Sequence, residues 1–78
     1  SEVDLEEVVL RAGCSVEGVA LGALRDRGVR VSVVAIKRGS ERIRLTPGPE
    51  EVLSVGDRIV AIGDRPNLAR LAELAQVS

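Results

Sequence analysis

The sequence predicts an α+β fold: a mostly antiparallel sheet carrying two helices, in the order β-α-β-β-β-α. Three observations carry that prediction. Residues 29–37 alternate and then turn wholly apolar, and a tight Arg38-Gly39-Ser40 turn follows them. Two stretches, 16–24 and 68–75, repeat apolar residues at spacings of three and four. A Pro-Gly-Pro loop then separates the hairpin from a last apolar strand, because proline cannot donate to a sheet ladder.

Residues 3–10 alternate at Val3 and Leu5 and end in an apolar run, so they read as the first strand. Arg11, Ala12 and Gly13 break it. Ser15 is suited to cap a helix, since its hydroxyl accepts from a free backbone N–H. From there Val16, Val19, Ala20, Ala23 and Leu24 form one helical face, and Gly28 is the expected left-handed terminator. Gly18 and Gly22 inside this helix each cost about 1 kcal/mol relative to alanine, so they predict close backbone contact with a neighbour.

Residues 29–37 form the strongest strand. Its second half, Val34, Ala35 and Ile36, is apolar on both sides and predicts cover on both sides. The turn at Gly39 needs positive φ, and residues 41–45 return with Ile43 and Leu45 inward and Arg42 and Arg44 outward. After the 46–49 loop, Val52, Leu53 and Val55 are expected to anchor a short connection, with a turn at Gly56-Asp57. Residues 58–62 make the last strand. Asp64 caps the second helix, Pro66 sits in its tolerated first turn, and Leu68, Leu71, Ala72, Leu74 and Ala75 make its apolar stripe.

Composition narrows the function. Of 78 residues 45 % are hydrophobic and 29 % charged, which suits one globular domain spanning 1–78. A chain this short buries only roughly 60 % of its unfolded surface, so a partner would help it. No apolar stretch approaches the ~20 residues needed to span a bilayer. One cysteine excludes an internal disulfide framework. The chain has no histidine, the commonest acid–base group, and no aromatic residue to stack on single-stranded nucleic acid. The absence of any methionine predicts a piece of a longer protein.

Charge is uneven. Residues 1–17 are acidic, residues 25–44 carry seven cations against Asp26 and Glu41, and the whole chain is at −1. Near-neutrality speaks against a nucleic-acid partner, while the basic middle suits either an anion or a solvated face. Motifs for chemistry fail on inspection. Lys37-Arg38-Gly39-Ser40 lacks the surrounding glycines of a phosphate loop. Cys14, read as lying just before a helix N-terminus, has no base beside it. Glu6-Glu7 and Glu50-Glu51 have no metal-ligand spacing. No catalytic residue, cofactor or metal is expected, and the chain does not read as an enzyme.

Three stretches together resemble the TrkA-C domain, the C-terminal lobe of regulator-of-potassium-conductance modules. They are LRDRGVRVSVVAIKRGSE (24–41), PGPEEVLSVGDRIVAIGD (47–64) and NLARLAELA (67–75). Their order and spacing match the family pattern over about residues 8–75, with Ser40 replacing a turn glycine. The resemblance implies a homodimeric regulatory domain at the cytoplasmic face of the membrane. It would serve a potassium channel, potassium transporter or cation/proton antiporter, with the transport subunit or pore in the same chain or a separate one. It also implies a small anionic ligand such as cyclic di-AMP in the dimer cleft. The matching positions are the apolar pair Val33-Val34 for the bases and Arg38 for a phosphate; Ile36 on the same strand and Arg44 beside the turn are the further candidates for those contacts. Two other readings stay open: an amino-acid-binding, ACT-like module of an enzyme, and an assembly domain without ligand.

Overall fold

The computed structural model describes residues 2–77. Four strands, β1 (Asp4–Val9), β2 (Ser32–Lys37), β3 (Arg44–Leu45) and β4 (Arg58–Gly63), form one sheet in the order β1-β4-β2-β3. Every neighbouring pair is antiparallel. A 3-10 helix (Leu21–Arg27) precedes β2 and an α-helix, α1 (Arg65–Leu74), follows β4. The predicted α+β class and element order hold.

Central strand β4 shows why one face is the core. Ile59 and Ala61 point inward and are fully buried, while Val60 and Ile62 point outward and are half-buried. Helix α1 packs on the inner face against β1 and β4, contributing Leu68 and Leu71, and Ala75 just past its end joins them. Its start follows the expected chemistry: Asp64 Oδ1 accepts from the Asn67 N–H at 3.0 Å, and proline occupies the first turn. Gly28 closes the 3-10 helix in the left-handed conformation at φ 80°, and Gly39 turns the hairpin at φ 56°.

The first helix begins later than the pattern predicts. Ser15 caps nothing, and helical structure starts only at Leu21. Gly18 sits at φ 79°, outside the helical region. Apart from local turns at Cys14 and Val19, the backbone from 10 to 22 bonds to distant partners: Ser15 N–H donates to Leu74 O, Gly18 N–H to Leu53 O and Gly22 N–H to Pro49 O. These tertiary bonds satisfy the donors that a helix would have used locally. The close approach expected at the glycines is real at Gly22, where an added Cβ would lie 3.0 Å from Pro49 Cβ; Gly18 has open space instead.

A second difference lies in the hairpin. β3 has only two residues, and Ile43 and Leu45, expected inward, are 53 % and 74 % exposed. β2 is also irregular: its register with β4 slips between Val33 and Ala35, so Val34 is an extra residue in a bulge. Val33 and Ile36 therefore both face the core side, and Ala35 faces out. Of the three expected anchors, Leu53 is buried while Val52 and Val55 are exposed. Leu71 is fully buried at the centre of the core, so Leu71→Ala is expected to cost about 2–5 kcal/mol. Urea unfolding monitored by circular dichroism measures that loss.

Candidate functional site

A charged network ties the hairpin to the segment before β4. Arg38 Nε and Nη2 donate to Asp57 Oδ1 and Oδ2 at 2.9 and 2.8 Å, a bidentate pair, and Nη2 also reaches Val52 O. Asp57 is 1 % exposed and accepts a third bond from the Ser54 N–H. Arg38 lies 3.4 Å from Glu51, whose other contacts are Arg44 Nη1 at 2.7 Å and Arg44 Nη2 at 3.0 Å. The series Asp57–Arg38–Glu51–Arg44 alternates in sign and sums to zero.

Burial pushes the Asp57 carboxyl up, but the hydrogen bonds from Arg38 and Ser54 and the charges of Arg38 and Arg44 outweigh it, holding the group below its ordinary range. The bond to Asp57 correspondingly raises Arg38 above the usual guanidinium value. Gly56-Asp57 is thus more than a turn. Gly56, at φ 84°, bends the chain, and Asp57 receives the arginine.

The sheet's outer face is the other notable feature. Leu5 of β1, Ala35 of β2, Leu45 of β3, and Val60 and Ile62 of β4 share it by register. Among the described residues, α1 packs on the opposite face, against β1 and β4. Leu5 is 61 % exposed. A groove of about 270 Å³ runs over it, with Ala35, Ile43 and Val60 as apolar wall and Glu7, Lys37 and Arg58 at the rim. Glu7 and Arg58 lie 3.6 Å apart across the strand pair. Leu5, Ile43 and Leu45 are its exposed aliphatic residues.

The five residues singled out from the sequence separate into two groups. Ile36 is buried in the core, and Val33 packs against it. Val34, in the bulge, is half-buried, and its carbonyl accepts from the Thr46 N–H at 2.8 Å. Arg38 and Arg44 are close together through Glu51, and their charges are already matched inside the chain. The basic segment 25–44 is therefore less positive than its sequence suggests. Sequence reasoning missed Asp57 and Glu51 as partners. The signal available was the Gly-Asp pair opposite an arginine at a hairpin turn.

Cys14 is buried, and no helix starts directly after it. Among the described residues, no group of three or more His, Cys, Asp or Glu side chains is placed to hold a metal ion. Glu7 and Glu51 face arginines rather than one another.

The TrkA-C domain profile matches residues 5–76. Among solved structures, the chain is similar to the RCK C domain of potassium transport protein KtrA in complex with cyclic diadenosine monophosphate. That match has a TM-score of 0.72 and 28 % identity, and covers 91 % of this chain and 81 % of the other. It is also similar to the RCK_C domain dimer of BusR from S. agalactiae in complex with c-di-AMP, at TM-score 0.71 and 26 % identity, covering 86 % and 88 %. The GsuK RCK domain shares the fold, at TM-score 0.68 and 21 % identity, over 94 % of this chain and 16 % of that one. No curated protein sequence matches the chain.

The network sets a pH dependence. Asp57 has a lower pKa folded than unfolded, so its contribution is complete above about pH 4, the unfolded aspartate value, and fades as pH falls through the folded pKa. Asp57→Asn is expected to flatten that acid limb. Arg38→Ala strands a buried carboxylate and is expected to cost about 3 kcal/mol, near the low end for a broken buried pair because Arg38 is itself 30 % exposed. Urea titrations from pH 3 to 7 measure both effects.

Proposed function

We propose that this chain, which belongs to the TrkA-C domain family, is a regulatory domain that dimerises through the outer face of its sheet and reads cyclic di-AMP for a cation transport system. The system is a potassium channel or transporter or a cation/proton antiporter, whose pore or transport subunit lies in the same chain or a separate one. The domain works at the cytoplasmic face of the membrane and transmits rather than catalyses. None of its described helices is long and apolar enough to cross a membrane.

One observation carries the reading: two solved domains that match this chain over more than four-fifths of both lengths are c-di-AMP complexes, one described as a dimer. The geometry supports it. A small domain with an uncovered aliphatic sheet face gains core by pairing with its copy. A two-fold dimer presents each group twice, which suits a two-fold symmetric ligand with two phosphates and two bases. The proposed contacts are Val34 for a base and Arg44, the more exposed arginine of the network, for a phosphate. Val33 and Ile36 hold the strand from the core side, and Arg38 positions Arg44 through Glu51.

A second reading is favoured by the same network. Because Arg38 and Arg44 already face carboxylates, a phosphate must compete with Glu51 for Arg44, and an assembly domain without ligand needs no such exchange. Calorimetry separates the two. The proposal predicts heat saturating at one c-di-AMP per two chains and an affinity about tenfold weaker in Arg44→Ala, the size of one lost charge-assisted hydrogen bond. No heat at any soluble concentration leaves assembly as the function. Sedimentation equilibrium is expected to show a dimer that Leu45→Glu converts to monomer; a wild-type monomer contradicts dimerisation by this face.

A further inference from the structure

We infer that the groove between the 3-10 helix and the start of β2 is a separate binding site for a small organic anion with an apolar body. Its volume is about 490 Å³, within the range of small-molecule pockets, about 300–1,000 Å³. Leu21, Val31 and Ile62 give it a small aliphatic patch over buried Val29, within a mixed polar and apolar lining that includes Arg25 and Arg30; no acidic side chain lines it.

The charge of those two arginines is unspent. Arg38, Arg44, Arg58, Arg65 and Arg70 each lie against a carboxylate. Arg25 and Arg30 have no such partner among the described residues, and Asp26, beside Arg25 in sequence, is neither paired with it nor part of the groove. Two guanidinium groups over aliphatic walls suit a carboxylate, sulfonate or phosphate attached to a hydrocarbon or ring body.

The walls are held in place. Gly28 turns the chain sharply out of the 3-10 helix. The Arg30 N–H donates to Asn67 Oδ1 at 2.8 Å, fixing the loop to α1. Gly22, where the groove is lined by backbone, is pinned by its N–H bond to Pro49 O at 2.9 Å. The site is therefore built from anchored backbone; it shares Ile62 with the outer face but no residue with the Arg38–Arg44 network, so it stands independently of the c-di-AMP contacts.

The test uses nitrogen–proton correlation spectra of the chain at low ionic strength. The probes are 8-anilinonaphthalene-1-sulfonate and its uncharged analogue N-phenyl-1-naphthylamine. The sulfonate is expected to shift the amides of Gly22, Arg25, Arg30 and Ser32. In the exposed double variant Arg25→Ala/Arg30→Ala it is expected to bind about tenfold more weakly, with binding of the neutral probe and of c-di-AMP unchanged. Shifts centred on Ile43, Leu45 and Val60, equal binding of both probes, an unaltered double variant, or no shifts at all would each overturn the site. None of those outcomes touches the c-di-AMP titration.

Discussion

The bidentate pair between Arg38 and buried Asp57 is the interaction on which the rest of this small fold depends. It joins residues 19 apart in sequence, closing the hairpin onto the turn that launches β4. Asp57 also accepts from the Ser54 N–H, and the same Arg38 Nη2 that donates to Asp57 reaches Val52 O and lies near Glu51. The connection from 48 to 57, which has almost no regular structure, is thereby fixed. That connection in turn supplies the carbonyls of Pro49, Glu51 and Leu53 that hold Gly22, Leu21 and Gly18. One ion pair thus positions the irregular segment that positions the 3-10 helix.

The architecture is one-sided. Helix α1 and the 10–29 segment cover the inner face of the sheet, and among the described residues Leu5, Ile43 and Leu45 stay exposed on the outer one. A monomer of this size rarely tolerates that arrangement unless the face has a partner. The hairpin at the end of the network also borders that face. On the proposed function, a ligand that drew Arg44 from Glu51 would act on the same element that a second copy would cover, so binding and pairing would share one free energy.

Much of this was legible in the sequence because it is local. Gly28 and Gly39 mark backbone conformations that side chains disfavour, Asp64 with Pro66 marks a helix start, and the stripe 68–75 marks a buried face. The remainder was decided at long range. Ser15 to Ala20 has helical periodicity, yet Gly18 and bonds to Leu53 and Leu74 draw it away from a helix. Ile43 and Leu45 alternate as a strand with an inner face should, but the bulge at Val34 and the brevity of β3 leave them outside. Arg38 read as a free cation, because no local pattern reveals a carboxylate 19 residues away.

A double-mutant cycle on Arg38 and Asp57, with Arg38→Met, Asp57→Asn and the pair combined, tests the ion pair's central place most directly. Stability is read by urea unfolding at pH 7. Residues in one buried charged network couple by about 0.5–3 kcal/mol, and the bidentate geometry with Asp57 at 1 % exposure places this pair in the upper half of that range. A coupling near 2 kcal/mol, accompanied by faster amide exchange at Gly18, Leu21 and Gly22, is the expected result. Additive single effects, with those amides still protected, would contradict the account.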